Sequence, residues 1–378
     1  MAKDGYKVIF IVAGFPGGRR KEMIDGYQVI RVGNRWSVYF QAYQYYKKYL
    51  QGWADLVIEE INTFPFLSQF YVHPVKSPIN RGAKQFNRAR QKRILIVYQL
   101  CREIWFYQIS FPLSLIGYLL EPLYLWLLRK NKVITISQST KNDLARYGFK
   151  KRNIKIMTPG IEIAPIDNLY CHSAFNAESI DSRFRGNDSE RIRKIKKFKN
   201  FTLLSLGAIR KMKRPDHQLQ AYEIAKQKIP GLKLKIAGTG QGKYYHKIMK
   251  LIKKSPYRKD IEYLGKVKSD DKIELMQKCH LILVTSVKEG WGLIVTEANS
   301  QGTPAVVYDV DGLRDSVKDN KTGLIAKKNT PKYLARRIVE LAEDKKKYAR
   351  LQKAAWKWSQ SINFDNCYKK FLEVINEK

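Results

Sequence analysis

Two glutamates stand eight positions apart in the run Glu289-Gly290-Trp291-Gly292-Leu293-Ile294-Val295-Thr296-Glu297-Ala298-Asn299-Ser300-Gln301-Gly302-Thr303-Pro304. Apolar stretches at 281–284 and 304–308 flank it and read as buried parallel strands. A glycine-rich turn and a short helix must therefore join them. Backbone N–H groups at such a helix start, placed over the carboxyl end of a strand, favour an anion such as a diphosphate. Glu289, in the turn, is positioned to accept hydrogen bonds from hydroxyls. Glu297, further along the helix, is positioned to accept from a diol such as a ribose. Carboxylates that grip hydroxyls beside a phosphate cradle describe a nucleotide-sugar site.

A second basic turn agrees with the first motif. The apolar stretch 201–206 ends at Gly207, followed by Ala208-Ile209-Arg210-Lys211-Met212-Lys213-Arg214-Pro215-Asp216 and a helical pattern over 218–228. Arg210 and Lys213 would neutralise a departing diphosphate, one as a bidentate fork and the other as a point charge. Further along, 234–242 reads as a strand and a turn with Gly238 and Gly240. The stretch 261–267 reads as a strand and turn ending in Lys266 and Val267.

Taken together, these motifs resemble retaining glycosyltransferases of the GT-B fold, glycosyltransferase family 4 (glycosyl transferases group 1). The Glu289–Pro304 run matches that family's paired-glutamate motif, and the likeness is nearly continuous from about 199 to 359. It implies an α/β fold, with two Rossmann-like, doubly wound parallel-sheet domains facing a cleft. The implied boundaries are 1–165 for an acceptor-binding domain, 166–199 for a basic inserted linker, and 200–358 for the nucleotide-sugar domain. Residues 359–378 would form a C-terminal helix returning toward the first domain. The resemblance assigns Lys213, Arg210 and Glu289 to catalysis. It assigns Gly207, Gly238, Gly240, Lys266, Val267, Glu289, Gly290, Trp291, Gly292, Leu293 and Glu297 to the donor. No metal and no cofactor are expected, since the nucleotide-diphosphate sugar is itself the donor substrate. One departure stands out: Ala208 occupies the position of the family's Arg, and Arg210 would substitute for it.

The first half matches less completely. Strands are expected at 8–12, 27–32, 55–62, 93–98 and 133–137, the last running into a helix start at 139–144. The resemblance places Tyr98 where relatives carry a His near the transferred sugar, and puts Arg102 and Glu103 on the acceptor side. For Arg102 and Glu103 a buried ion pair is the alternative. Residues 1–7 resemble the last turn of the family's first helix, so the family's first strand and Gly-rich loop are expected to be lacking. That would leave a central strand of the acceptor sheet unpaired. Either the true start lies upstream, or the gene product is decayed, or a shorter family member manages without that segment.

Cation-rich segments at about 76–92 and at 172–199 carry no useful periodicity and read as solvated insertions. The whole chain of 378 residues holds 71 Lys and Arg against 34 Asp and Glu, a formal net charge of +37. Such a balance predicts attraction to polyanions, an anionic membrane surface above all. The stretch 111–128 is apolar but carries Pro112, Pro122 and Glu121. It reads as a packed helix that touches lipid with Tyr118, Tyr124 and Trp126, rather than as a span. Cys101, Cys171, Cys279 and Cys367 lie far apart, as reduced cytosolic thiols do. The expected location is cytoplasmic, peripheral on the inner face of the cytoplasmic membrane.

The expected function is transfer of a sugar to a bacterial cell-envelope glycan or lipid-linked acceptor, as in lipopolysaccharide synthesis. One alternative is an inactive, truncated relative that only binds nucleotide. Another is a basic polyanion-binding protein, though no specific nucleic-acid module is present.

Overall fold

The computed structural model describes residues 1–72, 92–166 and 196–377. The expected insertion at about 76–92 lies almost wholly outside the described residues, as does most of the 166–199 linker.

Among the described residues the strands are β1 Ile9–Ala13, β2 Lys21–Ile24, β3 Tyr27–Val32, β4 Leu56–Ile61, β5 Lys92–Val97, β6 Lys132–Thr135, β7 Ile154–Ile156, β8 Thr202–Leu206, β9 Lys233–Ala237, β10 Ile261–Gly265, β11 Leu281–Val284, β12 Ala305–Tyr308 and β13 Gly323–Ala326. The last six form one parallel sheet in the order β10-β9-β8-β11-β12-β13. The order runs outward in both directions from β8 and β11, so the chain reverses its winding between them. In such sheets ligands bind at that switch point, outside the carboxyl ends of the strands. Leu203, Leu281, Ile282, Ala305, Val306 and Val307 are fully buried, as expected of strands covered on both faces.

The first half is built as two sheets rather than one. A parallel sheet β4-β5-β6-β7 stands beside a smaller sheet β1-β3-β2, in which β1 and β3 are parallel and β2 and β3 antiparallel. Among the described residues β1 pairs only with β3, and β4 only with β5. Residues Ala2–Asp4 form a single 3-10 turn. The β2–β3 hairpin was not legible in the apolar pattern, because β2 is Lys-Glu-Met-Ile with no buried residue. The signal that could have revealed it is Asp25-Gly26, both at positive φ, a two-residue hairpin turn.

Helix Leu113–Leu128 packs Tyr124, Leu125 and Leu128 onto one face of the four-stranded sheet. Its buried Glu121 accepts hydrogen bonds from the N–H groups of Cys101 (2.7 Å) and Arg102 (2.6 Å) and from Trp105 Nε1 (3.1 Å). The helix is fixed by that carboxylate as well as by burial worth roughly 1.5–3 kcal/mol per large apolar side chain. On the other face, helix Phe364–Asn376 lays Phe371 and Ile375 against Ile94, Ile96 and Ile134. Lys92 Nζ donates to the carbonyl of Ile375 at 2.9 Å. The chain's last helix therefore belongs to the core of its first half. Helix Lys345–Ser359, by contrast, packs in the second half through Tyr348 and Leu351.

Candidate functional site

The turn after β8 and the turn after β11 meet at the switch point. Lys213 forms an ion pair with Glu289, and Ser286 Oγ donates to the same carboxylate oxygen at 2.5 Å. Backbone bonds hold the two turns together: Val287 N–H donates to the carbonyl of Met212 at 2.8 Å, and Thr285 Oγ1 lies 2.9 Å from that of Lys213. Arg210, expected beside Lys213, is exposed and makes no ion pair among the described residues. Of the two cations, Lys213 alone is brought to Glu289.

Gly292 (φ 92°) opens helix Leu293–Ser300, with Leu293 exposed at its first position and Glu297 one turn on. Glu297 is paired with Lys272 at 2.7 Å. A diol reaching Glu297 must share or displace that lysine. Gly238 is required to be glycine: a Cβ there would fall 1.9 Å from the carbonyl oxygen of Gly207. The Gly207 and Gly238 turns therefore lie in direct contact, and the Gly238 N–H donates to Gly265 O at 2.7 Å. Gly240 lies against the main chain of Ile209, while Lys266 is exposed and Val267 half-buried beyond β10. These positions line up along the carboxyl ends of β10, β9, β8 and β11, as a nucleotide-diphosphate sugar would need.

Trp291 does something the sequence does not reveal. Its side chain is buried in a cluster with Ile136, Ile161, Ile362 and Trp358, at the junction of the two halves. Only its main chain is free to face a donor. A Cβ on Gly290 would lie 2.7 Å from the carbonyl oxygen of Tyr98. The paired-glutamate turn thus touches the end of β5 directly, with room for a glycine and nothing larger. Tyr98 is thereby brought to the donor motif. Burial, reinforced by Glu60, pushes its phenol up to about 12.

Arg102 and Glu103 do not form the alternative ion pair. The Arg102 guanidinium lies over the ring of Tyr118 (4.2 Å) and near that of Tyr147 (5.4 Å), and Glu103 is exposed. Both line a cavity of about 430 Å³ between the halves, facing Val287 and Lys288. Lys288, missed in the sequence, is buried and bridges Asp143 of the first half (2.6 Å) and Asp311 of the second (3.0 Å). Burial favours its neutral form, but the two carboxylates outweigh that and raise its pKa. Asp315 adds a second tie, accepting from the N–H groups of Gln138 and Ser139 at the start of helix Gln138–Arg146. That helix is capped by Ser137, two positions before the expected start.

Tyr118, Tyr124 and Trp126 do not share an exposed face. Tyr124 is buried and donates to Thr63 O at 2.9 Å, whereas Trp126 is exposed. The apolar surface instead includes Leu115, Ile116, Leu119, Leu120, Leu123 and Trp126. Among the described residues no helix is long and apolar enough to cross a membrane, and no cluster of three His, Cys, Asp or Glu could hold a metal ion.

Comparison with known proteins bears on the fold. Residues 188–358 match the family described as "Glycosyl transferases group 1". The chain is 30% identical over 138 residues to an uncharacterized glycosyltransferase, MJ1178, of Methanocaldococcus jannaschii, covering 36% of this chain and 39% of that protein. It is 24% identical over 256 residues to a D-inositol 3-phosphate glycosyltransferase of Salinispora tropica, covering 65% and 51%. The chain thus spans about half the length, or less, of these curated relatives. Among solved structures it resembles WaaG, a glycosyltransferase involved in lipopolysaccharide biosynthesis (TM-score 0.66, 16% identity, 100% of this chain and 93% of that one). Anabaena Alr3699/HepE in complex with UDP is similar at TM-score 0.66 and 15% identity, over 99% and 100% of the two chains. The fold is the two-domain, Rossmann-like GT-B arrangement.

Proposed function

We propose that this chain is a retaining glycosyltransferase of family 4 that moves a hexose from a nucleotide-diphosphate sugar to a cell-envelope glycan or lipid-linked acceptor. The observation that carries the reading is the Lys213–Glu289 pair at the switch point between β8 and β11, beside the Gly290–Gly292 turn. In this reading the diphosphate lies on the helix-start amides of 290–293 and on Lys213. Charge developing on the leaving group is stabilised by groups already in place. Binding frees Glu289 from Lys213, so that its carboxylate receives the sugar hydroxyls and the lysine receives phosphate. Glu297 takes the ribose, and the main chain at Lys266 and Val267 borders the base. The acceptor hydroxyl approaches from the Tyr98, Arg102 and Glu103 side, on the face the diphosphate leaves. No metal is assigned a role.

WaaG's part in lipopolysaccharide synthesis supports an envelope acceptor. The exposed leucine face of helix Leu113–Leu128, with Arg129 over the Trp126 ring at 4.0 Å, supports a peripheral seat on the cytoplasmic membrane. A second reading, nucleotide binding without transfer, is favoured by the edges of β1 and β4, each paired on one side only among the described residues. Incubation with UDP-, GDP- and ADP-sugars, reading nucleotide release and the anomeric configuration of the product by NMR, separates the two. Release lost in Lys213→Ala supports transfer; no release from a chain that binds nucleotide supports the second reading.

A further inference from the structure

Lys213 turns to Glu289, but its neighbours Lys211 and Arg214 line a different cavity, of about 530 Å³. Lys243 and Lys247, one turn apart on helix Gly242–Lys254, face it from a second element. Tyr107 reaches it from the first half, with Lys211 Nζ 5.6 Å from its ring centroid. Four cations from two separate elements thus converge on one space. The single carboxylate there, Asp216, is already engaged by Tyr244 Oη (2.7 Å) and Lys247 Nζ (3.2 Å). Burial lowers the pKa of His217 and so favours its neutral form. Among the described residues Lys211, Arg214 and Lys243 make no ion pair.

The turn presenting Lys211 and Arg214 is conformationally costly. Arg214 adopts φ 50° and ψ 51°, the left-handed region that favours glycine. Its carbonyl accepts from Thr285 Oγ1 at 3.0 Å, so the strained residue is held from the β11 side. A cation maintained at such a position, among like charges, points to an anion that compensates it. The donor diphosphate has its own cradle at Lys213 and the Gly290–Gly292 amides. The second cavity shares a turn with that cradle and is closed by a residue of the opposite half. A ligand anchored in it would lie in the same cleft.

We propose that this cavity binds a phosphate ester carried by the acceptor, which rests on the reading of the neighbouring turn as the donor site. The test is calorimetric titration of the full chain with glycerol 3-phosphate, with UDP, GDP and ADP all present in excess to fill the donor site. A parallel arm uses vesicles of phosphatidylcholine with and without phosphatidic acid. The variants are Lys243→Ala with Lys247→Ala, and Lys247→Arg. The expected result is binding that persists with nucleotide present, weakens on the order of tenfold in the double alanine variant, and is restored in Lys247→Arg. Nucleotide affinity should not change. Binding of phosphatidic acid vesicles alone, lost in the same variant, places the phosphate on a lipid; binding of glycerol 3-phosphate places it on a soluble or glycan ester. Competition by nucleotide, or equal binding by the double variant, overturns the proposal. If no nucleotide binds but the phosphate ester still depends on Lys243 and Lys247, the donor reading fails and the anion pocket stands.

Discussion

Replacing Lys288 with methionine tests how the two halves are held. The side chain of Lys288 is 10% exposed, and those of its partners Asp143 and Asp311 are 12% and 27% exposed. Removing one member of a buried pair costs about 3–5 kcal/mol, because the remaining charge is stranded. Two compensations lower that figure here. Asp143 keeps Arg146 at 3.2 Å, although that guanidinium is largely in solvent, and Asp311 keeps Arg314 at 2.5 Å. We therefore expect a loss of roughly 2–3 kcal/mol, or about 4–12 °C in Tm for units of this size. Differential scanning calorimetry reads it directly. Adding Asp143→Asn to Lys288→Met should recover part of the loss, since the stranded charge goes too. The raised pKa of Lys288 gives the pH sign: its contribution is complete below the ordinary lysine pKa and fades as pH climbs through the higher folded value. A Tm shift under about 1 °C in the single variant would refute the reasoning, for the bridge would then not hold the halves in solution.

Other outcomes follow from the same geometry. Lys213→Ala should lower kcat by about 10²–10³ while leaving Tm within a degree or two, since its pair is partly exposed but its charge faces the leaving group. Steady-state kinetics beside calorimetry checks that split. Gly290→Ala should cost about 1–3 kcal/mol, because its Cβ would meet the Tyr98 carbonyl; urea denaturation measures it. His280 is buried, and desolvation holds its pKa down to about 3. The unfolded chain therefore binds the extra proton between roughly pH 6.5 and 3, so stability falls with acid there, by up to about 1.4 kcal/mol per pH unit. His280→Asn should flatten that part of the profile relative to the parent chain. Leu119→Ser with Leu123→Ser should weaken sedimentation with anionic vesicles without altering nucleotide binding.

What the sequence made legible follows local physics. Most strands of the second half were readable as short apolar runs, as Leu281–Val284 and Thr202–Leu206 show, whereas β13 begins in what reads as a Gly-rich turn. That Glu289 and Lys213 come together was foreshadowed, because each sits at a strand end in a recognisable turn. The buried seat of the Trp291 side chain was not legible, since its partners Ile136, Ile161 and Ile362 are remote in the chain. Lys288 was invisible for the same reason: Asp143 lies 145 positions away. The three-residue strand β7 is too short for a periodicity. Helix Leu113–Leu128 is apolar nearly all round, so its sequence could not say that Tyr124, Leu125 and Leu128 turn inward and Leu115, Leu119, Leu120 and Leu123 outward.

The central claim is that the carboxyl ends of β8 to β11 hold a nucleotide diphosphate. The most direct measurement is the melting temperature of the full chain with UDP, GDP or ADP at about 100 times its Kd, where binding adds about 2.7 kcal/mol. The account predicts a shift with one of the three that is lost in Glu297→Ala. No shift with any of them, from a chain that melts cooperatively, would contradict it.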